Sequence, residues 1–242
     1  MSYLQGLILA FVQGISEFLP ISSKGHLNLV QHLLGLQSSL AFDIFLNTAT
    51  LISVLFFFRK QIGYFIKNLP YIIIGTLPAI FFGFILKHRL ENIFSDPKIL
   101  PPLFLLTALM LLSTKFIKIK DNQLSYKTAL IIGLFQSAAL FPGISRSGST
   151  IFAGLLMGLS AVESFNFSFC LFIPASIGAL VLDAKDVALS GAFTPVYLLS
   201  FVVTAIVGYF ALNFLKKVLS GGKFWYFGVY LLILGLVSFF LV

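Results

Sequence analysis

Charge is scarce in this chain. Asp, Glu, Lys and Arg make up 10% of its 242 residues, against about 25% in a soluble globular domain. Hydrophobic residues make up 59% and the mean hydropathy is +1.03. That balance excludes a water-soluble domain and makes the bilayer the main solvent. Cysteine is nearly missing. Cys170 stands alone, so no internal disulfide can form, and its place in an apolar stretch makes it a packing residue. No Cys/His cluster exists to hold zinc. A cleavable leader is not expected either. The amino-terminal stretch lacks a basic segment and runs into Gln13, Glu17 and Pro20 instead of a small-residue cleavage site. Acidic residues are half as many as basic ones, 8 against 16 Lys and Arg. In a soluble protein a net charge of +8 would suggest nucleic acid. In a membrane chain the excess of cations in cytoplasmic loops accounts for most of it, and no nucleic-acid partner is expected.

What is present is length without charge. Stretches free of Asp, Glu, Lys and Arg run over 68–86, 99–114, 164–182, 187–215 and 224–242, and 44–58 follows a lone Asp43. Crossing the hydrocarbon takes about 20 helical residues. These runs predict six spans, at 40–58, 69–86, 99–117, 162–182, 194–215 and 224–241.

Shifted by 123 positions, the chain meets itself without a gap. Ser2–Tyr3 falls on Ser125–Tyr126, Gln13 on Gln136, Phe18 on Phe141 and Ile21–Ser22 on Ile144–Ser145. Gly25 falls on Gly148, Gly35 on Gly158, Phe42 on Phe165 and Ser53 on Ser176. Matches of Leu, Ile or Phe are cheap in an oily chain, but matches of Gln, Ser and Gly in unbroken register are not. The chain reads as a single membrane domain, 1–242, built from a first repeat, 1–120, and a second, 124–242.

Each repeat opens with a segment broken in its middle: 3–15 and 24–36 flank EFLPISS, and 126–138 and 147–159 flank LFPGISR. An arm of about 13 residues at 1.5 Å per residue is too short to cross. Pro and Gly mark a turn, and non-helical backbone at membrane depth is tolerated where it lines a cavity. Three spans follow each hairpin, and three is odd, so the second repeat enters upside down. The expected fold is an all-α integral membrane protein with six transmembrane helices and two re-entrant helical hairpins in an inverted-topology repeat. The hairpin tips then meet near the midplane, where transporters of this design place their binding sites.

Cations give the orientation. Arg59, Lys60, Lys67, Lys115, Lys118, Lys120, Lys127, Lys216, Lys217 and Lys223 fall on one side, and Lys87, Arg89, Lys98 and Lys185 on the other. The richer side is expected in the cytoplasm, which turns both termini and the first hairpin outward. Lys24 and Arg146 belong to neither set and sit at the two tips.

Arg146 at membrane depth costs about 2.5–3.5 kcal/mol on insertion scales. Pairing with Glu17 or Asp43 would offset that, but its neighbours point to an anion. Ser145, Ser147, Ser149 and Thr150 offer hydroxyls, and Gly143 and Gly148 let backbone amides approach. The segment also opens a helix, whose first N–H groups attract anions. An arginine grips a phosphate with two parallel hydrogen bonds. Ser22 and Ser23 begin the equivalent helix at the first tip, and Gln13 and Glu17 share a helix face one turn apart. His26 lies three residues past Ser23, within its expected reach, and reads as functional more readily than His32 or His88. Glu17 and Asp43 are candidate ligands for a divalent cation, Mg²⁺ or Ca²⁺, which hard oxygens suit. An anion clamp, a hydroxyl, an imidazole and a carboxylate together suit phosphoryl transfer.

The pattern Gln13-x-x-x-Glu17 followed by FLPISSKGHL, and the run Pro142, Gly143, Ser145, Arg146, Ser147, Thr150, resemble one family. It is the undecaprenyl pyrophosphate phosphatases, bacterial membrane enzymes linked to bacitracin resistance, and the likeness covers nearly the whole chain. The resemblance implies hydrolysis of the terminal phosphate of undecaprenyl pyrophosphate at the outer face of the inner membrane, recycling the lipid carrier for peptidoglycan. It implies catalytic roles for Glu17, Ser23, His26 and Arg146. It further implies a phosphate site lined by Ser22, Ser145, Ser147 and Thr150, with the paired Gln13 and Gln136 also binding substrate. Glu17 would bind the divalent cation or assist proton transfer, and the nucleophile is Ser23 or an activated water. Asn166, Asn47 and Lys24 depart from the family, standing where glutamate, glutamine and a small hydroxyl residue are expected.

The alternative is a carrier that moves a polyprenyl phosphate or another anion through the same midplane site. A carrier needs the clamp but no nucleophile. Gly154 and Gly158 form a small-xxx-small pair that suits either a homodimer or close packing within the fold.

Overall fold

The computed structural model describes residues 1–36, 40–94, 97–189 and 194–241; of these, the side chains of 40, 87–94 and 182–189 are not described. Among the described residues every regular element is helical. The first hairpin is α1 (Tyr3–Ser16) and α2 (Ser23–Leu33), followed by α3 (Leu40–Phe58), the short α4 (Ile62–Lys67), α5 (Leu69–Phe94) and α6 (Leu100–Ser113). The second hairpin is α7 (Tyr126–Ala138) and α8 (Arg146–Leu156), followed by α9 (Ala161–Leu189), α10 (Pro195–Ser220) and α11 (Tyr226–Ser238).

Four matched serines of the repeat are helix caps. Ser2 and Ser125 cap α1 and α7, and Ser22 and Ser145 cap α2 and α8, each side chain accepting a first-turn N–H. Gly35 and Gly158 end α2 and α8 at φ 63° and 84°, a left-handed conformation that favours glycine. In both arms the next residue returns its N–H five positions: Leu36 to the Gln31 carbonyl, Leu159 to that of Gly154. Two sequences that share these caps and stops therefore fold into the same broken arm.

Each arm packs on the other half: α1 against α10, and α7 against α5. Glycines allow the close approach, and the backbones of Gly75 and Gly133 touch where α5 meets α7. Between the halves α3 also packs on α10, and the pairs α3 with α9 and α6 with α11 join equivalent helices. The hairpins enter from opposite ends. Phe42 meets Tyr197 edge-on where α3 and α10 begin, and Gly6 of α1 lies against Val196. At the other end Tyr71 meets Tyr126, and the Asn122 side chain donates to the Met157 carbonyl at 2.9 Å. That second end also carries the ten-cation loops, joined by Tyr64 donating to Glu163 at 2.6 Å and by Lys115 lying 4.6 Å from the Trp225 ring. On the poorer side, Lys87, Arg89 and Lys185, like His88, fall outside the described side chains.

The molecule is apolar outside and keeps many of its polar side chains within an otherwise apolar interior. Phe84, Phe210 and Phe240 are 85%, 66% and 91% exposed, while Gln13, Thr50, Thr150, Ser168 and Thr204 are fully buried. Lipid is the solvent that makes this arrangement favourable. Among the described residues five helical stretches are long and apolar enough to cross: Ala41–Phe58, Leu69–Leu86, Pro97–Phe116, Ala161–Val181 and Pro195–Ser220. The sixth expected span, 224–241, is a helix of 13 residues, Tyr226–Ser238, packed along α6 and flanked by turns. Gly154 and Gly158 serve the interior: a Cβ on the first would meet Ser164, and one on the second would meet Asn122.

Candidate active site

The tips meet. Ser22 accepts the Gly143 N–H at 3.0 Å, and the buried Ser147 hydroxyl faces the Leu19 carbonyl at 3.4 Å. Ser22 holds φ 70° and ψ 94°, unusual for a residue with a side chain. Such a conformation costs of order 1–3 kcal/mol and persists only where its surroundings over-determine it. Here the Gly143 bond, a Gly25 N–H on the same hydroxyl and two nitrogens of His26 on the Ser22 carbonyl hold it.

Between the tips lies a cavity of about 200 Å³. At about 30 Å³ per water it has room for a diphosphate headgroup and none for a long lipid tail. Its polar wall includes Glu17, Ser22, Ser23, Lys24, Asn47, Gln136, Ser145 and Arg146. The first turns of both α2 and α8 face it, so two helix N-termini add to the two cations.

Glu17 is the hub. Its Oε2 accepts from the Ser23 hydroxyl at 2.6 Å and from Gln13 Nε2 at 3.1 Å, and Arg146 Nη2 reaches its Oε1 at 3.5 Å. Gln13 also donates to Asn47 Oδ1 at 2.7 Å, which fixes the carboxylate's orientation. The Arg146 guanidinium lies 4.1 Å from the centre of Phe172 and 5.5 Å from that of Phe169. The aromatic faces favour a cation there. Its Nη1 is buried with no partner, and so are both polar atoms of the Gln136 amide. Unspent donors beside a cavity of this size are what an anion would satisfy.

Several expectations need correction. Ser147 and Thr150 do not line the cavity. They share a helix face one turn apart, and it turns inward, with Thr150 2.6 Å from Ser168 and donating to the Arg146 carbonyl at 2.9 Å. Gln13 is fully buried behind Glu17 and orients it. His26 does not reach the Ser23 hydroxyl. Its ring turns back along the helix, with Nδ1 2.9 Å from the Ser22 carbonyl and Nε2 2.8 Å from the Tyr230 hydroxyl. Asp43 accepts from Gln31 at 3.0 Å and is off the wall that its neighbours Ile44 and Asn47 form. Among the described residues Glu17 is the one carboxylate on that wall, and no three His, Cys, Asp or Glu side chains gather. Of the two candidate cation ligands, Glu17 faces the cavity and Asp43 does not.

Sequence reasoning missed the Phe169–Phe172 platform and Tyr230. The i, i+3 spacing of two aromatics in the repeat's equivalent span was a weak signal for the first. Tyr230 carried none. Asn47 was visible only as a departure, and its side chain completes the Glu17 network. Asn166, the other lost polar position, is off the cavity, with Oδ1 buried and unpartnered.

The family model described as bacitracin resistance protein BacA matches residues 6–237. The chain is 38% identical to a protein of Methanosphaera stadtmanae named undecaprenyl-diphosphatase, covering 97% of this chain and 96% of that one. It is 38% identical to a protein of the same name from Thermosipho africanus, covering 97% and 98%. It is 35% identical to undecaprenyl-diphosphatase 2 of Bacillus thuringiensis, covering 97% and 96%.

Proposed function

The chain belongs to the bacitracin resistance protein BacA family, and from that premise we propose that it hydrolyses undecaprenyl diphosphate to undecaprenyl phosphate and inorganic phosphate. The observation that carries the chemistry is the Ser23 hydroxyl held 2.6 Å from Glu17 on the wall that also bears Arg146. Glu17 takes the Ser23 proton as Oγ attacks the terminal phosphorus. The bond from that phosphorus to the bridging oxygen breaks, and undecaprenyl phosphate leaves. Glu17 passes its proton to the departing phosphate oxygen. Water then cleaves the phosphoserine, Glu17 taking the water's proton and returning it to Ser23 Oγ, and inorganic phosphate is released. Arg146, Lys24, the Gln136 amide, the Ser22 and Ser145 hydroxyls and the two helix N-termini bind the charged oxygens. Among the described residues Glu17 is the carboxylate on this wall, and it would hold Mg²⁺ together with the diphosphate.

The protein is a multi-pass membrane protein. In our reading the ten-cation end faces the cytoplasm, so the cavity, whose wall runs towards the start of α3, faces the outer side of the plasma membrane. A carrier would have no use for a serine bonded to a carboxylate, and nothing in the relatives' names favours one. The test is phosphate release from undecaprenyl diphosphate by purified protein in detergent, beside Arg146→Ala and Ser23→Ala. Wild-type protein that binds the lipid diphosphate yet releases no phosphate would overturn the reading.

A further inference from the structure

We propose that His26 is a positioning residue, and that with Tyr230 it forms a relay holding the Ser22–Ser23 tip in its reactive conformation. This rests on the reading of Ser23 and Glu17 given above. The Ser22 carbonyl can only accept, so the ring nitrogen 2.9 Å from it, Nδ1, carries a hydrogen. In the neutral ring Nε2 is then an acceptor, and Tyr230 donates its hydroxyl to it at 2.8 Å. The Tyr230 ring lies nearly parallel to the imidazole, 18° apart with centroids at 5.8 Å, and Phe104 meets its edge at 5.6 Å. Both nitrogens are thus engaged away from the cavity, and His26 is absent from its wall.

The relay ends on the one strained residue of the tip. Ser22 precedes Ser23, and its carbonyl accepts both the backbone N–H of His26, at 3.1 Å, and the ring Nδ1–H. Without the ring donor, Ser22 has one bond fewer holding φ at 70°. Relaxation there moves the Ser23 hydroxyl away from Glu17, and a misplacement of about 1 Å can cost on the order of a hundredfold in rate. The last helix of the chain thereby sets the geometry of a serine near its start.

The experiment measures kcat and KM for undecaprenyl diphosphate with the full chain. An asparagine side chain presents an N–H at the position of imidazole Nδ1 and offers no proton-transfer group near neutral pH. We expect His26→Asn to retain kcat within about tenfold of wild type, His26→Ala to lose about a hundredfold, and KM to change little in both. Tyr230→Phe lowers kcat severalfold alone and adds nothing in the His26→Asn background. His26→Asn as inactive as His26→Ala would overturn the proposal in favour of proton transfer by the ring, and so would Tyr230→Phe with wild-type kcat. An activity-independent reading comes from ¹⁵N-histidine spectra of protein carrying His32→Asn and His88→Asn. The remaining signal shows protonated Nδ1 and an unprotonated Nε2 that shifts in Tyr230→Phe. Protonation at Nε2 alone refutes the relay even if the phosphatase reading itself fails.

Discussion

Glu17→Gln separates the two things the carboxylate does, because one is read in kcat and the other in binding. The amide keeps the side chain's shape and its contact with Gln13, but it cannot take the Ser23 proton. General-base catalysis contributes about 10²–10⁴-fold, so kcat falls by that factor. Binding moves the other way. Glu17 and Arg146 approach to 3.5 Å and are 12% and 16% exposed, and at an effective dielectric of about 20 the gross attraction is about 5 kcal/mol. Exposed pairs are worth at most about 1 kcal/mol and breaking buried ones costs about 3–5. A long, part-exposed contact belongs between, at about 1.5–3 kcal/mol. A diphosphate no longer competes with Glu17 for the guanidinium in the variant, so its affinity rises by about 10–100-fold. The assay is phosphate release across lipid concentration, with lipid diphosphate binding measured separately. A kcat within threefold of wild type would remove Glu17 as the base. A KM that rises, together with lost dependence on Mg²⁺, would show that Glu17 acts through a cation it shares with the substrate.

Ser23→Ala should abolish phosphate release while lipid diphosphate still binds, and rapid quenching of wild-type protein with terminally ³²P-labelled substrate should leave label on Ser23; turnover in the alanine variant would assign the attack to water. Gln136→Leu removes two buried unpartnered atoms, so thermal stability should rise by about 1–3 kcal/mol as KM rises; an unchanged KM would remove Gln136 from the binding site. Gly158→Ala meets both a φ of 84° and the Asn122 side chain, and should cost about 1–2 kcal/mol, read as a lower Tm in detergent; an unchanged Tm would deny the arm's stop that role. Burial, then its bond to Glu163, pushes the Tyr64 hydroxyl above the ordinary tyrosine range. The folded state therefore holds that proton after the unfolded chain has lost it, and the stabilisation present below about pH 10 falls as pH rises beyond it. Tyr64→Phe should flatten that alkaline decline, and an equally steep profile in the variant would refute the assignment.

The broken arms were legible because their ends are chemical. A capping serine and a left-handed glycine act on their own backbone within a few residues, so Ser22, Gly35, Ser145 and Gly158 announce where α2 and α8 start and stop. The six runs were legible because lipid tolerates so little charge, although the last proved shorter as a helix than its apolar run. The cavity was legible only in part. Arg146 stood out because a cation at that depth needs a reason, and Glu17, Ser22, Ser23, Gln136 and Ser145 came with it onto one wall.

Which way a side chain turns was not legible. Ser147 and Thr150 carry the same hydroxyl as Ser145, yet the 3.6-residue turn of α8 points them at Leu19 and Ser168. Local order belongs to the sequence because caps, stops and charge act over a few residues of one chain. The choice between a serine that reacts and one that supports it belongs to the packed molecule. A helix has one face towards the cavity and another towards its neighbours, and only packing against the other half decides which residues each face presents. His26 turned to a tyrosine on α11 for that reason: the acceptor for its ring is local, the Ser22 carbonyl, but the donor, Tyr230, comes from tertiary packing 204 positions away.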